Sequence, residues 1–255
     1  VRGHLPSVLM FPMFAWYKGP FAALLRYASR DAIMVIQRLL NHAARNRATQ
    51  VHGNCSEGRC LSLPAQGPKF CAGDSHAWAW YRGSTVGPYP AMSALMAVER
   101  FADELVGLGI PLDRIVRLLL EGCENLAMPG LVVGLLVRHL DRVTDELDPW
   151  LANPYVWHLE FSRATHERSG PAHNDPDTPG QDRRMDKFRE VSGRLVAKAL
   201  KGGDRQALGR LTAVAERLVS RARELLSEDD VTTVRAWAAA LRIEDYQPAE
   251  IDGNR

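Results

Sequence analysis

Through most of this chain apolar residues recur at steps of three and four, and Gly or Pro breaks the recurrence into short lengths. That pattern builds amphipathic helices joined by tight turns. Ile33, Ile36, Leu39, Leu40 and Ala43 share one face after the Gly19-Pro20 turn, with Asp31 placed to cap the helix. Leu95, Val98, Phe101, Leu105 and Leu108 form a second stripe from about Tyr89. Gly107 and Gly109 end it, and Pro111 prevents its continuation. A third helix starts at Pro111-Leu112-Asp113 and turns Ile115, Leu118 and Leu119 inward. Pro129 stands in the first turn of a fourth, where a missing N–H costs nothing. That fourth helix is apolar nearly all round, the mark of a central element. Asp148-Pro149 and Asn153-Pro154 announce two more starts.

Between Thr49 and Gly83 the character changes to Gly, Pro and Cys. Thr49–His52, Cys60–Leu63 and Lys69–Cys71 read as short strands, with turns at Asn54, Gly58 and Pro64–Pro68. Arg168 to Gln181 is polar and rich in Pro, Gly and Asp, as a linker is. Beyond it Leu208, Leu211, Ala215, Leu218, Ala222 and Leu225 alternate steps of three and four, the seam of a helical hairpin or coiled coil. Met185, Phe188, Leu195 and Ala199 before it, and Val231, Val234, Trp237 and Leu241 after it, supply matching stripes, with Asp230 as a cap. The expected fold is all-α: an irregular α-solenoid or helical bundle with a small inserted loop or β-hairpin, plus a C-terminal helical hairpin or three-helix segment. No fixed-period repeat is present. The expected division is 1–168 as a solenoid-like domain with its insertion at about 49–83, 169–181 as a flexible linker, and 182–255 as the coiled-coil-like segment.

Composition narrows the function. The formal net charge of +2 gives no general pull toward nucleic acid or anionic membrane. Twelve basic against five acidic residues lie between Asp182 and Arg223, but without interleaved aromatics they read as a solvated helical face. The longest aliphatic run, Leu131 to Val137, is far short of the roughly 20 residues a membrane span needs. Four cysteines are too few and too uneven for a disulfide framework, so a reducing, cytoplasmic setting is expected. The chain opens on Val1, which suggests a segment of a longer polypeptide.

The chemistry-bearing motifs are sparse. No GxxxxGK[ST] loop or GxGxxG turn is present, so no nucleotide cofactor is expected in this chain. His52, Cys55, Cys60 and Cys71 are metal-ligand types in one loop, but they lack the paired CxxC knuckle that presents two thiolates to one ion. His158-Leu159-Glu160 matches half of a zinc deaminase signature, with no PCxxC to complete it. Asp74-Ser75-His76 holds triad residue types, yet sequence neighbours cannot form a triad alone. A helix cap is the simpler use of Asp74-Ser75. The most distinctive cluster is Trp78, Trp80, Tyr81 and Arg82, types that dominate binding hot spots and equally dominate cores. It is the candidate partner surface, and the favoured alternative is an aromatic plug that anchors the inserted loop against the helices. Trp150, Tyr155 and Trp157 raise the same question and are read as core aromatics.

Several strings together resemble the helical region of very large bacterial ATP-binding proteins grouped with the signal-transduction (STAND-type) P-loop NTPases. They are Gly19-Pro20-Phe21 with Leu24-Leu25-Arg26, Leu39–Ala43, Gly73–His76 with Trp80–Gly83, Ser93–Phe101, and Asn125-Leu126-Ala127. The resemblance spans roughly Gly19 to Arg163 and consists of packing strings. It implies a non-catalytic interaction, scaffold or sensor region whose partner is another protein or the rest of a larger polypeptide. The phosphate-binding loop of such proteins is missing here, so ATPase activity transfers to no residue. Two other readings compete. One is a stand-alone, hydrolase-like enzyme assembled from His42, Asp74, His76, Glu99 and His158; the other is a nucleic-acid accessory protein using the Arg-rich C-terminal helices.

Overall fold

The computed structural model describes residues 14–53, 56–64, 66–169 and 179–242. The elements run α1 (Phe21–Tyr27), α2 (Ser29–His52), β1 (Gly58–Leu63), β2 (Gly67–Ala72) and α3 (Ser75–Trp78), followed by a 3-10 turn at Trp80–Arg82. Then come α4 (Tyr89–Gly107), α5 (Leu112–Leu120), α6 (Ala127–Arg138), α7 (Asp148–Leu151) and α8 (Pro154–Ser169). The last described elements are α9 (Phe188–Gly202), α10 (Arg205–Leu225) and α11 (Glu228–Ala239). The fold is all-α with one small antiparallel hairpin, as the periodicity predicts.

The arrangement is a bundle. In a solenoid each unit touches only its neighbours. Here α6 is packed by α2, α3, α4 and α5 together, and ten of its side chains from Ala127 to Val137 are buried, Gly130 included. Its apolar circumference requires such a position, because water-facing Leu and Val would forfeit about 25 cal/mol for each Å² left exposed. The α4 stripe is broader than its 3,4 spacing suggests: every residue from Ala91 to Glu99 is buried. Leu108 falls just past the helix end and is exposed.

The hairpin pairs Gly58 with Ala72 and Leu63 with Gly67. Leu61, Leu63 and Cys71 face the core, while Cys60 and Phe70 face out. Ala72 continues beyond the hairpin to the segment before α6. Its N–H donates to Glu124 O at 2.9 Å, and its carbonyl accepts from Leu126 N–H at 2.9 Å. Thr49–His52 is no strand: α2 runs on until Gly53, whose left-handed backbone (φ 63°) closes the helix on Thr49 O. Asp31 lies in the first turn of α2 and does not cap it. Ser227, not Asp230, caps α11 by accepting from Asp230 N–H.

The C-terminal helices share one buried core with the rest. The α10 seam lies over α7 and α8. Trp157 of α8 stacks on Trp237 of α11 at 5.5 Å and meets Phe188 of α9 edge-on at 5.3 Å. Arg210 holds Asp148 at 2.5 Å. The middle of the expected linker, 170–178, lies outside the described residues; its end is fixed, since Pro179 O accepts from Arg138 at 2.8 Å. Buried residues from Phe188 to Leu241 thus belong to the same core as the earlier helices. Among the described residues, no helix is long and apolar enough to cross a membrane.

Candidate functional site

Asp74 starts the segment that carries the aromatic cluster. Its carboxylate accepts from Ala77 N–H at 2.9 Å and from Arg47 Nε at 2.9 Å to each oxygen, so it caps α3 and is itself neutralised. The segment that follows turns inward. Trp78, Trp80 and Arg82 are 0% exposed and Tyr81 is 2% exposed, so the expected partner surface is interior. Two glycines of α6 make room for it. A Cβ on Gly130 would stand 2.1 Å from Trp78 O, and one on Gly134 would stand 2.5 Å from the Tyr81 hydroxyl. Only hydrogen at these positions lets the aromatic segment lie directly on the central helix.

Burying Arg82 demands counter-charge, and α8 provides it. Glu160, Arg163 and Glu167 follow at steps of three and four, so they share one helix face. Arg82 Nε donates to Glu167 at 2.5 Å, and Arg163 donates to Glu167 at 2.7 Å and to Glu160 at 2.9 Å. Trp78 Nε1 donates to Glu160 at 2.7 Å. Two cations thus face two carboxylates, all four almost wholly buried. Burial alone works against the Arg163 charge, but the carboxylates of Glu160 and Glu167 outweigh it and hold its pKa above the ordinary value. Burial pushes the Tyr81 phenol up, so it stays protonated.

A second buried group continues the seam toward the C-terminal helices. Arg184 donates to Glu99 at 2.9 Å, and Arg138 pairs with Glu99 at 3.3 Å and with Asp103 at 2.9 Å. His139 Nε2 contacts the same Asp103 oxygen at 2.7 Å. Burial raises the Glu99 carboxyl to about 7, with Arg138 pulling the other way. The chain around 179–187 is strapped down here. Arg163 reaches Asp186 O at 3.2 Å, and a Cβ on Gly180 would collide with Arg138 O. Such a closed set of ion pairs fixes which elements meet. It positions helices.

The remaining candidates are dispersed. His42 is exposed on α2 against Asn46 at 2.8 Å. His76 lies beside His166, with ring centroids 4.8 Å apart, and burial lowers its pKa. Glu99 belongs to the ionic seam. Asp74 and His158 do come together: with Ser75 and Tyr155 they line one cavity of about 420 Å³. Ser75 and His158 make no hydrogen bond to each other, so no triad is formed. Of the four metal-ligand candidates, Cys55 lies outside the described residues, as does the side chain of His52. Cys60 and Cys71 point to opposite faces of the hairpin and cannot share an ion. Among the described residues, no group of three or more His, Cys, Asp or Glu converges as a metal site. The buried Cys71 thiol approaches Lys69 O at 3.9 Å, buried Cys123 donates to Asn125 O at 3.3 Å, and the neighbouring Cys123 together with burial raises the Cys71 pKa.

The chain matches no protein-family model, and no curated protein is significantly similar to it.

Proposed function

We propose that this chain is a non-catalytic helical interaction, scaffold or sensor region of a larger multidomain ATP-binding protein, with the nucleotide chemistry carried by a separate module. The observation that carries this reading is a contrast between inside and outside. Trp78, Tyr81, Arg82 and Glu99, the side chains best suited to chemistry or recognition, are consumed in the closed interior seam. Large apolar side chains meanwhile remain on the surface where α1 lies beside α4. Tyr27 is 92% exposed and follows Arg26 in the chain, Leu108 is 78% exposed one turn after Glu104, Arg26 and Glu104 pair at 3.4 Å, and Leu24 and Ile110 are also exposed. Single exposed apolar residues are ordinary, but a group at one end of a bundle marks a contact surface.

A photo-crosslinking residue in place of Tyr27, in the full-length polypeptide in its own cells, tests this. The expected result is one defined protein adduct, within the same polypeptide or with another, that Leu108→Asp abolishes. No adduct, or one indifferent to Leu108→Asp, contradicts the reading. Saturable ATP binding by residues 1–255 alone contradicts the assignment of nucleotide chemistry to another module.

A further inference from the structure

Two strings singled out in the sequence, Asp74-Ser75 and His158-Leu159, meet at the cavity of about 420 Å³. Its volume falls within the range of about 300–1,000 Å³ that small-molecule sites occupy. Its walls come from five places: the hairpin (Glu57, Arg59), the start of α3 (Ser75), the start of α6 (Leu126), α8 (Tyr155, His158) and the end of α10 (Leu226). The charged groups there already have partners. Asp74 holds Arg47 at 2.9 Å, and Glu57 holds Arg59 at 3.3 Å, while Arg59 also lies over the Tyr155 ring at 5.4 Å. The groups without a hydrogen-bond partner among the described residues are neutral: the Ser75 hydroxyl, the Tyr155 phenol and the His158 imidazole. His158 packs edge-on to Trp237 at 4.9 Å, and burial lowers its pKa, so at neutral pH the ring offers one donor and one acceptor. Leu126, Leu159 and Leu226 supply apolar wall.

We propose that this cavity binds an uncharged small molecule that both donates and accepts hydrogen bonds and carries one apolar face. A charged ligand would find every counter-charge in the wall already engaged and would lose its hydration without replacement. A neutral one gains three waiting hydrogen-bonding groups. Because Leu226 lies at the end of α10 and the other walls belong to the rest of the bundle, the ligand bridges the two. The proposal rests on this cavity and is independent of the contact surface at Tyr27.

Benzamide, benzoate and benzylamine share a shape and differ in charge, which makes them the probes. Saturation-transfer NMR on the full chain at pH 7.5 compares their binding. Benzamide is expected to bind, and benzoate and benzylamine to bind at least about fivefold more weakly, the worth of one hydrogen bond. Tyr155→Phe, which removes a single oxygen, and His158→Ala are each expected to weaken benzamide about fivefold with circular dichroism unchanged. No transfer to benzamide, equal or tighter binding of a charged analogue, or benzamide binding unchanged in Tyr155→Phe overturns the proposal.

Discussion

Helices α8 and α10 are neighbours in the core, yet they are built on opposite plans. In α10 the apolar seam faces in, with Leu211, Val214, Ala215, Leu218 and Ala222 buried and the arginines largely turned outward. In α8 the charges face in: Glu160, Arg163 and Glu167 are 2–4% exposed, while Phe161 of the same helix is 58% exposed. The cause is what each helix meets. The seam of α10 meets apolar surface of α7, α8 and α11, where any polar group would be desolvated without return. The inner face of α8 meets Arg82 and the Trp78 indole N–H, which need acceptors, and two glutamates answer them. A buried charge obliges its neighbours to be charged too, so polarity inside propagates from one helix to the next.

The largest effect expected from this comparison is at Arg163. Arg163→Ala strips the counter-charge from Glu160 and leaves Glu167 with Arg82 alone, and a broken buried pair costs about 3–5 kcal/mol of unfolding free energy. Chemical denaturation measures it, and a loss near zero would mean that α8 turns its charges to water. Leu218→Ala, on the apolar plan, is expected to cost about 3 kcal/mol through lost burial and a residual cavity. The two helices separate further in their response to salt, because Coulombic pairing is screened and apolar burial is not. Removing Leu218 should leave the salt dependence of stability unchanged.

A smaller effect follows from the histidines. Burial lowers the His158 pKa below its ordinary 6.5, with Asp230 opposing, and burial lowers His76 as well. As pH falls through 6.5, the unfolded chain takes up these protons before the folded one does. Stability therefore declines on acidification in that window, and His158→Gln should make the decline shallower in denaturation curves taken from pH 7.5 to 5.5. An NMR titration of His158 with a midpoint above 6.5 would reverse the sign. The smallest effect is at the surface. Arg30 and Glu121 lie 2.7 Å apart in open solvent, and Arg30→Ala should leave the melting temperature unchanged within error.

Much of the fold is legible in the sequence because α2, α4, α5 and α10 bury most of what their 3,4 pattern says they bury, the exceptions being Leu108 and Leu225 at the ends of their stripes, which are exposed. The Pro and Gly punctuation marks the helix boundaries for the same reason: those residues act through local backbone geometry. Direction was harder to read than existence. The Trp78–Arg82 cluster stands out in composition, but whether it faces in or out depends on Gly130 and Gly134, more than forty residues later. The α8 face carried a usable signal. Glu160, Arg163 and Glu167 alternate in sign at steps of three and four on the turn after Trp157, a spacing that makes one stripe of a helix. Read by polarity alone, that stripe goes to solvent; read against the unpaired Arg82, it goes inside. The cavity could not be read, since its walls span residues 57 to 226 and only the packing of the C-terminal helices brings them together.

The interior placement of the aromatic segment is the claim on which these arguments converge, and hydroxyl-radical footprinting of the native chain tests it directly. Tryptophan is among the side chains most reactive toward hydroxyl radical, so protection reports burial. The account predicts that Trp78 and Trp80 stay unmodified at doses that label Tyr27 and Phe161, and that they become labelled only after denaturation. Labelling of Trp80 in the native chain as fast as Tyr27 would contradict it and return the cluster to the surface.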